Sequence, residues 1–278
     1  MRVAVIDLGS NTVRMTVYDR TETGYRSILS QKEVVGLIGY TREGVLAEDG
    51  IVRLTEAIRG FRETGRAVQV EEFGCFATAG LRAIRNADEV VRRIAAETGV
   101  EVRIISGEEE ARLDYEGVFR PAGLERGLVV DMGGGSTELI RFDGSATLNA
   151  VSLPFGSLLL YRRFVSGILP KPKEFRKIRH FVRRQLDVVE WLPGCAAHAC
   201  LIGGTARAVV RLHREIYARE HEPLQGYTFD AGDMSDLLTR IGQDRKGTAR
   251  LLTRSVPERI HSILPGLGGL ARVVAVAG

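Results

Sequence analysis

Apolar and polar positions alternate in short stretches of the chain that read as strands, and recur every three or four residues in longer stretches that read as helices. Residues 3–6 are apolar, Asp7-Leu8-Gly9-Ser10-Asn11-Thr12 is turn chemistry, and Val13, Met15 and Val17 then alternate with Arg14, Thr16 and Tyr18. That order predicts strand, tight turn, strand. It returns at residues 128–130, Asp131-Met132-Gly133-Gly134-Gly135-Ser136-Thr137 and residues 138–142, so two related halves are expected. In the first half, Ile51, Leu54, Ile58 and Phe61 mark a helix over 49–62, and residues 72–77 a strand. Val90, Val91, Ile94 and Ala95 mark a helix over 88–97, followed by a strand over 100–105. Residues 108–118 have helical spacing, and Arg120-Pro121-Ala122-Gly123 breaks it, which sets domains of 1–120 and 121–278. In the second half Phe175, Ile178, Phe181, Val182, Leu186 and Val189 give a long amphipathic helix, residues 199–202 a buried strand and residues 207–217 another helix. The alternation is α/β.

Composition narrows the class. With 44% apolar and 27% charged residues over 278 positions the chain has the balance of a folded protein. Three cysteines are too few for a disulfide-stapled secreted scaffold, Asp7 cuts the first apolar run short of signal-peptide length, and no later run reaches that of a membrane span. A cytoplasmic protein without a membrane partner is expected. The net charge of +4 names no partner, but nearly all the cations are Arg, the side chain suited to bidentate phosphate contacts. Arg176, Lys177, Arg179, His180, Arg183 and Arg184 lie opposite the apolar stripe of the long helix. A solvated face is the plainer reading of that row and guidance of a polyanion the sharper one; no aromatic ladder favours single-stranded nucleic acid. Cys195, His198 and Cys200 are zinc-ligand types, but three ligands so close together rarely close a site, and an ordinary loop before a strand is the better reading.

The 32 glycines exceed the average usage of about 7%, and several fall where backbone could approach an anion. Turns rich in Gly, Ser and Thr present backbone N–H groups with nothing in the way, which suits phosphate oxygens, and an Asp at the front of each adds a hard oxygen for Mg²⁺. Gly203-Gly204-Thr205 follows a strand and opens a helix, the setting in which helix N-termini hold phosphate. Arg82, after Ala77-Thr78-Ala79-Gly80-Leu81, could grip a phosphate with its guanidinium. In Ser106-Gly107-Glu108-Glu109-Glu110, a capping box and the positive helix end account for Glu109 and Glu108, and Glu110 is the carboxylate left over, a candidate general base.

These segments, with Arg14, residues 77–86, Ala111-Arg112, Tyr115, Gly117 and Leu153-Pro154-Phe155-Gly156, occur in the order of the exopolyphosphatase and guanosine pentaphosphate phosphohydrolase (Ppx/GppA) family, which the chain resembles over almost its whole length. The resemblance implies two ribonuclease-H-like halves closing on a cleft, the actin, Hsp70 and sugar-kinase superfold. It implies that Glu110 activates water, that Asp131 and Glu138 are Mg²⁺-associated acids with Asp7 facing them, and that Gly9, Ser10, Asn11, Thr12, Gly133, Gly134, Gly135, Ser136 and Arg82 grip phosphate, beside Gly204 and Thr205. Mn²⁺ is the alternative ion. The expected activity is a Mg²⁺-dependent exopolyphosphatase. The alternatives are a guanosine pentaphosphate 5′-phosphohydrolase and a weakly catalytic polyphosphate- or alarmone-binding protein, with a homodimer left open and no specific nucleic acid. The chain departs from the family at Ala79 and Ala83, where Ser and Glu are often found, and at Arg259-Ile260-His261, where Arg-Ala-Asp is usual. Most members continue past the last strand into a Ser-x-x-Gly-x-Arg-Glu-Gly motif, and this sequence stops at Gly278 just before it; without the extra C-terminal helical domains of the larger members, it is expected to be of the short class.

Overall fold

The alternation of Val13, Met15 and Val17 with polar neighbours becomes the inner face of a sheet: all three are fully buried, as are Ala4, Ile6 and Leu8 on the preceding strand. The computed structural model describes residues 1–122 and 125–278, with side chains for all of these except 118–122. Within it the chain divides into two units, Met1–Gly107 and Glu108–Gly278.

In the first unit β1 (Arg2–Leu8), β2 (Thr12–Thr21) and β3 (Gly24–Val34) form an antiparallel meander. A short helix α1 (Leu37–Tyr40), the small hairpin of β4 (Thr41–Arg42) and β5 (Val45–Leu46), and helix α2 (Glu48–Ala67) lead to β6 (Glu72–Ala77), which runs parallel to β1. Helices α3 (Ala79–Arg82) and α4 (Ala87–Thr98) precede β7 (Val102–Ile104), parallel to β6, giving the order β3-β2-β1-β6-β7. Leu54, Ile58 and Phe61 of α2 and Val90 and Ile94 of α4 cover one face. On β1 the alternate residues Val5 and Asp7 are exposed, the pattern of a strand with one face in the core.

The second unit begins with α5 (Gly107–Ala122), followed by the antiparallel β8 (Arg126–Met132), β9 (Thr137–Asp143) and β10 (Ala146–Leu153). Helices α6 (Ser157–Phe164) and α7 (Pro172–Leu186) lead to β11 (Ala199–Ile202), which pairs parallel to β8. Helices α8 (Gly203–Ile216), α9 (Ala231–Gln243), α10 (Arg245–Ser255) and α11 (Ile263–Ala277) complete it, with a 3₁₀ turn at Pro257–Arg259. The order β10-β9-β8-β11 repeats the first unit's meander plus parallel strand, so each unit has the ribonuclease-H-like topology. Here the sheet is covered on both faces. Leu128, Val130 and Met132 of β8 point into the large helical core, while Val129 packs with Ile140 and Phe142 against Ala111 and Tyr115 of α5. That packing puts α5 with the second unit, so the contact division falls at 107/108 where the sequence pattern set 120/121; the side chains of Arg120, Pro121 and Ala122, and Gly123 itself, lie outside the described residues.

Two expectations are corrected. The apolar end of the chain is helix α11 and not a strand, because Ile263, Leu267, Leu270, Val273 and Ala277 recur at helical spacing and all are buried. Strand β11 is half-buried along its whole length rather than buried. Among the described residues no helix is long and apolar enough to cross a membrane.

Candidate active site

The two glycine turns are built alike. Gly9 N–H donates to the Thr12 carbonyl at 3.1 Å, and Gly133 N–H to the Ser136 carbonyl at 3.0 Å, each closing the turn between the first two strands of its sheet. Each is held by an element further along the chain. In the first unit a Cβ on Gly80 would stand 2.9 Å from Ser10 Cα, so the start of α3 lies on the turn. In the second unit Gly133 O accepts from Ser157 N at 2.9 Å and from Ser157 Oγ at 3.1 Å, and Gly134 O accepts from Leu158 N at 3.1 Å and Leu159 N at 2.9 Å. The first turn of α6 therefore grips the glycine run through carbonyls. Gly156 permits the approach, since a Cβ there would stand 2.5 Å from Gly134 C.

The turns differ in the charge they carry. Asp7 is paired directly with Arg14 across β1 and β2, whereas Asp131 is paired directly with Glu138 across β8 and β9. Two carboxylates opposite one another in an antiparallel pair repel. Glu138 is 1% exposed. Burial, then the charge of Glu110, opposes its ionisation, and Asp131 adds to this; hydrogen bonds from Ser152 and Ser136 act the other way, and its carboxyl titrates at about 8. Glu138 Oε1 accepts the Ser152 hydroxyl at 2.7 Å, from the β10 residue paired with it. Glu110, in the first turn of α5, is thus brought to Glu138 and Asp131, and these three sequence-chosen carboxylates form one cluster beside the Gly133-Gly134-Gly135-Ser136 turn.

The third glycine segment joins them. Gly203 opens α8 with φ +79°, and a Cβ there would run into Asp131 Oδ1. The Asp131 carboxylate therefore lies against the N-terminal end of a helix, where negative charge is favoured. Ile202, which precedes Gly203, is the β11 partner of Asp131. Sequence reasoning gave Arg259 no role, yet a Cβ on Gly204 would collide with its guanidinium, so Arg259 stands at the same turn. The sequence marks it only as the Arg of the segment that stands where the family has Arg-Ala-Asp; the helical core brings in the 3₁₀ turn that carries it. Thr205 is 1% exposed and donates through Oγ1 to Ser157 Oγ at 3.3 Å, so its hydroxyl ties α8 to α6 and only its backbone remains for an anion. In the first unit Arg82, in the last turn of α3, donates from Nη1 to the Ile105 carbonyl at 3.0 Å, which fixes its guanidinium. Asp7 is exposed near the end of β1 and helps raise the titration of buried Cys75, to which burial contributes more.

Among the described residues no group of three or more His, Cys, Asp and Glu side chains is gathered closely enough to hold a metal by itself, and Cys195, His198 and Cys200 form no such group. Mg²⁺ needs less: it is typically held through one or two carboxylates, keeping waters and taking phosphate oxygens for the rest. A buried carboxylate destabilised by two others fits such a cation. The model of the Ppx/GppA phosphatase family matches residues 16–276. The crystal structure of a Ppx/GppA family member from Aquifex aeolicus superposes with a TM-score of 0.80 at 26% identity, covering 100% of this chain and 90% of that one. An exopolyphosphatase from Cytophaga hutchinsonii matches with a TM-score of 0.87 at 21% identity over 100% of this chain and 91% of its own. An exopolyphosphatase-like protein gives 0.83 at 23% over 99% and 87%; at these identities both speak for the fold alone. With a family match that leaves only short ends uncovered, this chain belongs to the Ppx/GppA phosphatase family and is a phosphoanhydride hydrolase.

Proposed function

We propose that the chain is an exopolyphosphatase that removes the terminal orthophosphate of inorganic polyphosphate. The observation that carries the reading is the cluster of Glu110, Asp131 and Glu138 beside a glycine turn whose carbonyls are already held by α6. Glu110 accepts a proton from water, whose oxygen forms the new bond to the terminal phosphorus. The bond from that phosphorus to the bridging oxygen breaks, and the shortened chain leaves with the bridging oxygen as its new terminal phosphate. Gly133, Gly134, Gly135, Ser136, Gly204 and the Thr205 backbone orient the phosphoryl group. Asp131 and Glu138 would hold Mg²⁺, or Mn²⁺ in its place. When bound, such an ion neutralises charge on the phosphate oxygens, which phosphoryl transfer requires. Gly9, Ser10, Asn11, Thr12 and Arg82 keep the phosphate-binding role, and Asp7 the metal-associated one, that the family resemblance gives them.

The test is orthophosphate release from long-chain polyphosphate with Mg²⁺, run beside Glu110→Gln. Loss of a general base costs roughly 10²–10⁴-fold in rate. Turnover that survives the substitution overturns the role of Glu110. Release from guanosine pentaphosphate but not from polyphosphate reassigns the substrate, and tight binding of either without release makes the chain a binding protein.

A further inference from the structure

Helix α7 turns toward solvent a row of cations that the fold does not use. Lys171, Lys173, Arg176, Lys177, Arg179, Arg183 and Arg184 are exposed, as is His180. The one carboxylate of the helix, Glu174, is spent at its N-terminus, where it accepts from Lys171 N at 2.8 Å and from Ser166 Oγ at 2.8 Å. Arg183 reaches Asp187 only at 4.0 Å. Among the described residues no carboxylate lies within ion-pair reach of Lys173, Arg176, Lys177, Arg179 or Arg184. Arg163 of α6 continues the surface, with its guanidinium 4.6 Å from the ring centre of Phe181 on α7.

This arrangement opposes helix stability. The pairs Lys173/Lys177 and Arg179/Arg183 place cations one turn apart, where like charges destabilise, and Lys173 stands at the positive end of the helix dipole. The apolar side of α7 is committed, with Ile178, Val182 and Leu186 buried in the core, so no face remains to enter a membrane. Phe175 and Phe181 are packed against the same core, and no exposed Phe, Tyr or Trp on α7 offers a base a stacking platform. What fits is a flexible chain that carries charge and little else.

We infer that the exposed face of α7, extended by Arg163, is an accessory surface that holds the body of a linear polyphosphate while its end is hydrolysed elsewhere. The inference rests on the exopolyphosphatase reading and deepens it. The helix spans about 22 Å, enough to engage several phosphates at once, so substrates of only a few phosphates gain little from it. The test compares wild type with Arg176→Gln/Lys177→Gln/Arg179→Gln/Arg183→Gln, and with the milder Lys173→Gln/Arg184→Gln. Binding of fluorescently labelled long-chain polyphosphate is followed by anisotropy across a salt series, and KM is measured for long chains and for tripolyphosphate. We expect the quadruple variant to bind long chains at least tenfold more weakly at low salt, with a slope of log affinity on log salt reduced by roughly 0.7 per cation removed, as for single-stranded polyanions. The ratio of long-chain KM to tripolyphosphate KM rises, the double variant falls between, and thermal stability is maintained or improved. Unchanged long-chain binding overturns the inference, as does an equal rise in both KM values. Equal competition by a single-stranded oligonucleotide of the same charge also overturns it, in favour of nucleic acid. Wild type that binds long chains through α7 but hydrolyses none refutes the activity while leaving the surface in place.

Discussion

Gly156→Ala is the sharpest perturbation of the second turn, because it adds one methyl group where backbone meets backbone. The φ of Gly156 is −146°, extended and open to any residue, so the effect is purely one of space. The new Cβ would stand 2.5 Å from Gly134 C and 2.7 Å from both Gly133 O and Gly134 O. Ordinary contact begins at 3.4 Å, so turn and helix must part by about 0.9 Å. Backbone bonds of 2.9, 3.1 and 2.9 Å join Ser157, Leu158 and Leu159 to the two glycine carbonyls, and that displacement takes all three beyond hydrogen-bond range. At about 1 kcal/mol each the loss approaches 3 kcal/mol, at the upper end of the 1–3 kcal/mol usual for overpacking. For a unit of this size that lowers Tm by roughly 6–12 °C. The same shift moves Ser136 and the backbone N–H groups of the turn, so kcat for orthophosphate release falls with it. Circular dichroism melting and a phosphate-release assay measure both, with Gly167→Ala as the control, since nothing stands within 4 Å of a Cβ there. A variant that melts within a degree or so of wild type and keeps its rate refutes the claim that α6 holds the turn by close backbone approach.

Glu138 titrates at about 8, above its ordinary 4.5, so between those values the folded chain keeps a proton that the unfolded chain has lost. Its contribution to stability is whole below 4.5, shrinks as pH rises and is gone above about 8 without a bound cation. Glu138→Gln escapes this, so its Tm should climb relative to wild type across that window in chelator; a difference that stays flat across it contradicts the crowding of carboxylates described above. Cys75 is 3% exposed, and burial, with Asp7 adding, pushes its thiol up to about 12. In native protein at about pH 8 iodoacetamide should leave it unlabelled while denaturant exposes it; mass spectrometry that finds it alkylated within minutes in the native state disproves that burial.

What the sequence made legible follows from what local pattern can encode. The first hairpin is legible because a strand with one buried face must alternate, the second because its turn repeats the chemistry of the first, and β6, α2 and α4 follow from the strand and helix periods. Strand β3 was not, since its residues are mostly exposed and impose no alternation. Where the family resemblance leads to a last strand the chain forms helix α11, whose burial on almost all sides is a tertiary fact. Glycine excess showed that backbone had to approach something closely, but the something was invisible. Gly203 meets the Asp131 carboxylate, Gly204 the Arg259 guanidinium and Gly266 the Thr205 and Ser157 side chains, all distant in sequence.

The duplicated hairpins carry the deeper lesson. In each, an acid seven positions before a second charged residue stands directly opposite it once the turn closes, as Asp7 with Arg14 and Asp131 with Glu138. The two turns close in the same register, yet one sets opposite charges across the strand pair and the other like charges. Opposite charges facing each other across a strand pair add a few tenths of a kcal/mol to stability and ask for nothing more. Two carboxylates in that position, with Glu138 buried and Glu110 brought up by α5, crowd negative charge that favours a proton or a cation on Glu138. A fold that needed only stability would have placed an arginine at 138 as it did at 14. The second hairpin instead keeps the arrangement that costs stability, and it does so beside the glycine run suited to phosphate. The chemistry is therefore expected to depend on charges held in the second unit, and Glu138→Arg, which copies the first hairpin's solution into the second, should abolish divalent-dependent phosphate release; a variant that still responds to Mg²⁺ as wild type does would remove Glu138 from the site.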